Sequence, residues 1–337
     1  MPARVLSDAM SLEPVPVERL DVLVLVDNVT DSLSTNPPDV RPELARLVAL
    51  GMPAWSGAAM AVAHHGLALL VTAHAGGSDR TVLFDTGPEG GVFARNAARL
   101  GADLAAVEAL VLSHGHWDHV GGVVEALGLV AKARGGAGGV PVHVNDGMFA
   151  RRGMRLPSGA VLPFEDVPAP ERIAAAGGDV VSSAAPRLLA DGRFFLSGEI
   201  ARATAYEQGF PNHVRAAPDG AWEPDPLLLD ERYLAAHVAG KGFVVLTACS
   251  HAGVVNVLRD ARDRFPGVPL HAVLGGLHLA GAGPEKAIAE TVRDLAALGL
   301  ARVAPAHCTG WRAVRALVDA LGEGVVVPAA VGKAYAF

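Results

Sequence analysis

A layered α/β fold is what this chain predicts, and three observations carry that reading. Short apolar runs of strand length recur from 21–26 to 302–304, separated by stretches that read as helices. Three late strands run into a histidine just before a helix, at His251, His278 and His307. The stretch 111–122, Val-Leu-Ser-His-Gly-His-Trp-Asp-His-Val-Gly-Gly, follows the same grammar and holds His114, His116, Asp118 and His119 within six residues. In layered α/β folds, sites are built where strands end and helices begin.

Taken in order, residues 1–20 contain Pro and Glu and read as a lead-in, and 21–26 is the first core strand, ending at Asp27-Asn28. Residues 29–60 mix Pro, Gly, Ser and Asn around a short helical stretch at 43–50. Strands at 67–72 and 81–84 pair as a hairpin, with a helix at 92–100. The apolar run 109–112 is a buried strand; Gly121-Gly122 then turns the chain into a helix reaching Leu129. A Gly-rich loop at 132–139 lacks a phosphate-loop lysine pattern, 141–144 is a strand, and 145–193 is poorly patterned. The second half has strands at 193–196, 242–247, 270–274 and 302–304, and helices at 252–264, 284–298 and 310–321. A polar stretch at 203–230 carries Pro211, Pro218, Pro224 and Pro226. One domain over 21–337 is expected, with insertions at about 29–60, 145–193 and 203–230. Long loops on a rigid scaffold tend to carry specificity, so 29–60 and 203–230 are the expected substrate rim.

Bulk properties narrow the function classes. The 337 residues are 51% hydrophobic, enough for a large core. Lys and Arg number 28 against 35 Asp and Glu, a net charge of −7, with no basic run of the kind that grips nucleic acid. No uninterrupted apolar stretch reaches the ~20 residues of a membrane span. Asp8, Glu13 and Glu18 stand where a secretory signal needs basic and then apolar residues, so a cytoplasmic location is expected. Two cysteines, Cys249 and Cys308, do not make a disulfide framework.

Four potential ligands at the density of 114–119 point to metal. In an extended segment alternate side chains share a face, so His114 and His116 can grip one ion. Asp118 and His119, past the bend, can face a second. Imidazole with carboxylate suits zinc, and also iron or manganese.

The His-x-His-x-Asp-His pattern at 114–119, preceded by Thr81-Val82-Leu83-Phe84-Asp85-Thr86-Gly87, resembles the metallo-β-lactamase superfamily. That resemblance implies an αββα sandwich, two mixed sheets back to back with helices outside and metals at one edge. It implies His114, His116 and His251 as ligands of one ion, and Asp118, His119 and His307 as ligands of the other. Asp85 is implied as a residue that orients a metal-binding histidine or its loop. The chain departs from the family pattern where an Asp bridges the two ions. Glu199 or a histidine takes that place, or water alone bridges; Glu199 is otherwise implied, with His65, as a substrate contact. Cys249 and Cys308, beside proposed ligands, read as small buried hydrophobes, with a direct bond to metal as the alternative. His65 and His278 are implied to flank the centre, where each either contacts substrate and moves a proton or is a core histidine on a backbone carbonyl. Arg151, Arg152 and Arg155 either hold an anionic substrate group or stay solvated.

Further motifs are Leu-Val-Asp-Asn (25–28), His-His-Gly (64–66), Cys-Ser-His-Ala-Gly-Val-Val-Asn (249–256), Gly-Gly-Leu-His-Leu (275–279) and His-Cys-Thr-Gly (307–310). With these, residues 21–337 resemble the subgroup of dihydropterin–ribofuranosylaminobenzene phosphate synthase-like, class II metal-dependent hydrolases. The expected function is hydrolysis of an ester or phosphoester small molecule, with one or two divalent transition metals activating water. Asp118 would orient that water or take its proton. A metal-assisted condensing enzyme of the pterin synthase type is the alternative, and a degenerate-site binding or sensor protein is another. A redox di-iron centre usually goes with a flavin or electron-partner domain, and nothing here reads as one.

Overall fold

The computed structural model describes residues 12–136 and 138–337. Most of the expected lead-in, residues 1–11, lies outside the described residues.

Two mixed sheets form the body. The first has eight strands in the order Val40–Arg41, Ala334–Ala336, Arg19–Val26, Ala68–Ala75, Ser78–Phe84, Val107–Val111, Val140–Val144, Gly178–Ser182. The second has six, Arg187–Leu189, Phe194–Leu196, Leu234–Val238, Gly242–Thr247, Leu270–Gly276, Arg302–Ala306. Strand alternation explains how they stack. Val22 and Val24 point into the core between the sheets, while Leu23 and Leu25 point to the helical side. Val71, Val82 and Val111 of the first sheet meet Leu196, Leu246 and Leu274 of the second in that inner core. Helices Gly90–Arg99 and Val123–Ala133 cover the first sheet through Phe93, Leu127 and Val130. Helices Val254–Arg264, Ile288–Ala297 and Trp311–Leu321 cover the second through Leu258, Leu295 and Leu317. Each buried Leu or Phe contributes about 1.5–3 kcal/mol, and a one-residue register slip would turn every such side chain to the wrong face. The αββα sandwich expected from the resemblance is the architecture found.

Strand direction positions the site. Ser78–Phe84, Val107–Val111 and Val140–Val144 run parallel, and so do Gly242–Thr247, Leu270–Gly276 and Arg302–Ala306. Parallel strands deliver their C-terminal ends to one edge, which gathers the loops at 85–87, 113–119, 249–251, 278 and 307.

The insertions differ from expectation. Segments 145–193 and 203–230 read as separate loops, yet they build one four-stranded antiparallel sheet, Trp222–Pro224, His213–Ala216, Arg152–Arg155, Val161–Pro163. The central pairing sets His213 opposite Met154, residues far apart in sequence, so no local periodicity announces it. The strand Leu234–Val238 carries no clear signal in the sequence, because its alanines fit a helix as well as a strand. The stretch 284–298 splits into a 3-10 turn, Pro284–Ala287, and the helix Ile288–Ala297. No described helix is long and apolar enough to cross a membrane.

Candidate metal centre

The strand Val107–Val111 feeds Ser113 and His114 straight into the gap between the sheets, and the single turn Trp117–Val120 then folds back. The Asp85-Thr86-Gly87 turn locks that fold. Thr86 donates to the His119 carbonyl from its backbone nitrogen at 2.8 Å and from its hydroxyl at 3.0 Å. Gly66 packs so closely on the Asp118 carbonyl that a β-carbon would strike it, and its φ of 143° suits glycine alone.

Two groups of ligand atoms result. Nε2 of His114 lies 3.1 Å from Nδ1 of His116 and 3.2 Å from Nε2 of His251. In the second group Sγ of Cys249 lies 3.2 Å from Nε2 of His119 and 3.3 Å from Nε2 of His307. Asp118 Oδ2 approaches the same two nitrogens at 3.5 and 3.7 Å. All seven residues are buried. A tetrahedral ion with nitrogens at about 2.0–2.1 Å separates them by about 3.3 Å, so both groups have the spacing that a cation needs. Cys249 also lies within ligand distance of His251 and His278, which puts it between the groups.

The electrostatics agree with that fit. Burial holds His114, His116 and His251 well below the ordinary histidine range, which leaves the neutral imidazoles that ligate metals. Burial also pushes His119 down, but the Asp118 and Asp85 carboxylates outweigh it and hold it well above that range. The second group therefore attracts positive charge, which a divalent cation satisfies with both imidazoles neutral. Burial raises the Cys249 thiol, and a coordinating cation is what drives such a thiol to thiolate.

Outer partners orient the rings. His119 Nδ1 donates to Asp85 Oδ2 at 2.8 Å. His114 Nδ1 donates to Ser113 Oγ at 2.9 Å, and Ser113 Oγ donates to the same Asp85 oxygen at 2.7 Å. One carboxylate thus steadies a histidine of each group. Asp27 Oδ1 accepts the His307 backbone N–H at 2.8 Å, and Asn28 donates to the His307 carbonyl at 2.8 Å, which explains the Leu-Val-Asp-Asn motif. Glu231 accepts the N–H groups of His251 and Ala252 at 2.7 and 2.6 Å, and burial pushes its carboxyl up to about 7. Asp230 accepts Gly115 N–H and Arg152 Nη2, both at 2.9 Å. Asp85, Ser250 and His278 take φ values of 59°, 61° and 46°, strained backbone gathered at one place.

The structure brings together six sequence-predicted ligands: His114, His116, His251, Asp118, His119 and His307. Cys249 lies between the two groups, where the sequence left the bridge open, so the geometry favours the metal-contact alternative for this residue over a plain core one. Glu199 does not join: its side chain is exposed and acts on Arg202 and Arg232. Cys308 faces the backbone instead, 3.3 Å from the His278 nitrogen. His65 stands half-exposed, 3.6 Å from Asp118 Oδ2. The His278 ring packs 4.3 Å from that of His251. Arg151 and Arg155 are exposed, whereas Arg152 is buried in its pair with Asp230. Asp27 belongs to a motif the sequence singles out without a role, whereas Asp230, Glu231 and His213 lie outside every such motif. The signal for the acidic pair was charge set between apolar neighbours, Leu229 and Tyr233.

Comparison with known proteins bears on the family and the fold. A family model for the metallo-β-lactamase superfamily matches residues 63–265. The chain is 27% identical over 277 residues, 80% of its length and 87% of the relative's, to the 7,8-dihydropterin-6-methyl-4-(β-D-ribofuranosyl)-aminobenzene-5'-phosphate synthase of Methanocaldococcus jannaschii. It is 26% identical over 255 residues, 76% of its length and 88% of the relative's, to an uncharacterized protein of the same organism. A solved metal-dependent hydrolase of the β-lactamase superfamily superposes with a TM-score of 0.65 at 23% identity, covering 93% of this chain and 98% of that one. The chain therefore belongs to the metallo-β-lactamase superfamily.

Proposed function

We propose that this protein is a metal-dependent hydrolase acting on an ester or phosphoester small molecule. It would hold one or two divalent transition ions, zinc foremost and iron or manganese otherwise. The ligands are His114, His116 and His251 for one ion, and Asp118, His119, His307 and Cys249 for the other. The observation that carries this reading is the convergence of seven buried donors into two groups at one sheet edge. Bound cations supply Lewis acidity, polarising a carbonyl or phosphoryl oxygen and making water acidic near neutral pH. The chain's own residues do the rest. Asp118 orients the attacking water or accepts its proton. His65, at the mouth, meets the substrate. His278 moves a proton at the leaving group. Phe164 and Phe210 pack 5.3 Å from the His116 ring and 6.2 Å from the His251 ring, and keep bulk water from the centre.

A second reading, condensation, is favoured by one observation, the synthase relative that matches 80% of this chain. In that case the same site would activate displacement of a leaving group from the 6-methyl carbon of a dihydropterin by the amine of an aminobenzene, the amine losing its proton as the carbon–nitrogen bond forms. Both readings are tested on protein purified after growth with zinc, iron or manganese. Elemental analysis should find one to two equivalents, and less than about a tenth of an equivalent overturns the metal reading, because such sites bind tightly. A panel of phosphoesters, esters and lactones is then set beside a dihydropterin activated at its 6-methyl carbon by a leaving group, supplied with a ribofuranosylaminobenzene phosphate. Turnover in the first panel alone supports hydrolysis; turnover in the second alone replaces it with condensation.

A further inference from the structure

His213 is fully buried on the inserted sheet, and its Nε2 lies 3.1 Å from Nε2 of His116. That is the side of the His116 ring opposite Nδ1, the atom that faces His114 and His251. His213 is therefore a partner of a ligand and not itself a ligand to either group. Its other nitrogen, Nδ1, lies 2.8 Å from the Asp225 carbonyl oxygen, with Asp225 Oδ2 at 3.3 Å. Both are acceptors, so Nδ1 of His213 carries a proton and donates it. In the neutral ring Nε2 is then bare and accepts. Nε2 of His116 must be the donor, which leaves Nδ1 of His116 with a free lone pair pointing into the cluster.

The backbone fixes this relay. His213 N–H donates to Phe210 O at 2.9 Å, and Asp225 N–H donates to the His213 carbonyl at 3.0 Å, closing the hairpin on which both residues sit. Phe164 and Phe210 pack 6.0 and 5.8 Å from the His213 ring and seal it from solvent. Arg152, paired across the inserted sheet with Arg215 in the backbone ladder, bonds Asp230 and so ties this sheet to the His114 loop.

We propose that His213 is a positioning residue of the metal centre: the Asp225 carbonyl, acting through His213, sets the tautomer in which His116 can bind a cation. The inserted sheet is then a working part of the centre and not only a rim around it. The inference rests on the metal reading above. An outer partner of a ligating histidine typically changes metal affinity about 10–100-fold.

The test uses full-length protein titrated with cobalt(II) against a chelator, followed by visible absorption. Wild type should take up cobalt. His213→Ala should lose 10–100-fold in affinity for one ion and leave the other unchanged. His213→Gln offers a side-chain oxygen where Nε2 stood and should recover most of the loss. A His213→Ala protein with wild-type affinity at both positions overturns the proposal while the metal reading stands. A Gln variant as weak as the Ala variant overturns it as well. No cobalt uptake by wild type instead overturns the metal reading. Should the variants fail to fold, nitrogen-15 ring spectra of histidine-labelled wild type decide. They should place the His213 proton on Nδ1 and the His116 proton on Nε2; a proton on Nε2 of His213 overturns the proposal.

Discussion

Asp85 accepts a hydrogen bond from Nδ1 of His119 at 2.8 Å, from a backbone held at a φ of 59°. The same Oδ2 accepts from Ser113 Oγ, which in turn accepts from His114. Asp85 is fully buried, and among the described residues its carboxylate is compensated by these donors and by the Ser113 backbone N–H at 2.7 Å. Asp85→Ala should strip orientation from a histidine of each group at once. Metal affinity should fall by about 10–100-fold at both positions, since each ligand loses its outer partner. Chelator competition measures this, and a loss confined to one ion would contradict the shared role.

Much of this arrangement was legible in the chain. Alternation along 114–116 put two imidazoles on one face, and the parallel strands before His251 and His307 had to end at the same edge. Other parts were hidden for physical reasons. His213 acquires its role from a strand pairing with Arg152–Arg155, and such long-range pairing leaves no mark in the Pro-rich segment that carries it. Cys249 looks like any buried small residue until His119 and His307 arrive from other strands. Asp230 and Glu231 act through backbone N–H groups, which every sequence has, so nothing in the partner loops marks them.

Cys249 gives a sharp test because its sulfur lies between the two groups, where the sequence left the bridge open. Cys249→Ala removes a donor 3.2 and 3.3 Å from two proposed ligands and leaves the first histidine group intact. Metal content should fall from about two equivalents towards one. Cobalt-loaded wild type should also show the near-ultraviolet band of a thiolate bound to cobalt, and the variant should lack it. Retention of that band would assign it to Cys308 and remove Cys249 from the ligand set.

Glu231 clamps the His251 turn through two backbone N–H groups. Glu231→Gln keeps the shape but turns an amide NH2 towards one of those donors. A buried donor left without an acceptor costs about 1–3 kcal/mol. Thermal and denaturant unfolding of the metal-free protein should register that loss with unchanged circular dichroism. A variant as stable as wild type would mean that the turn is held by its other bonds, chiefly Ser250 to Thr247 and to the Gly276 carbonyl.

Asp118 separates catalysis from scaffolding. Its carboxylate sits among His65, His119 and His307, at 3.5–3.7 Å from a nitrogen of each, and it is nearly buried. Burial pushes its pKa up, but His119 and His307 outweigh that and hold it well below the usual carboxylate range. It is therefore an anion facing the place where water and a cation would meet. Asp118→Asn keeps the size and removes the charge. Loss of a general base costs about 10²–10⁴-fold in rate, so kcat should fall at least a hundredfold while circular dichroism stays the same. His114→Ala should act differently. It removes a ligand of the first group, so metal content should drop along with activity. If Asp118→Asn kept most of its activity on the true substrate, proton transfer through Asp118 would have to be abandoned. The site would then use its cations only to bind and polarise, which is the behaviour expected of the condensation reading.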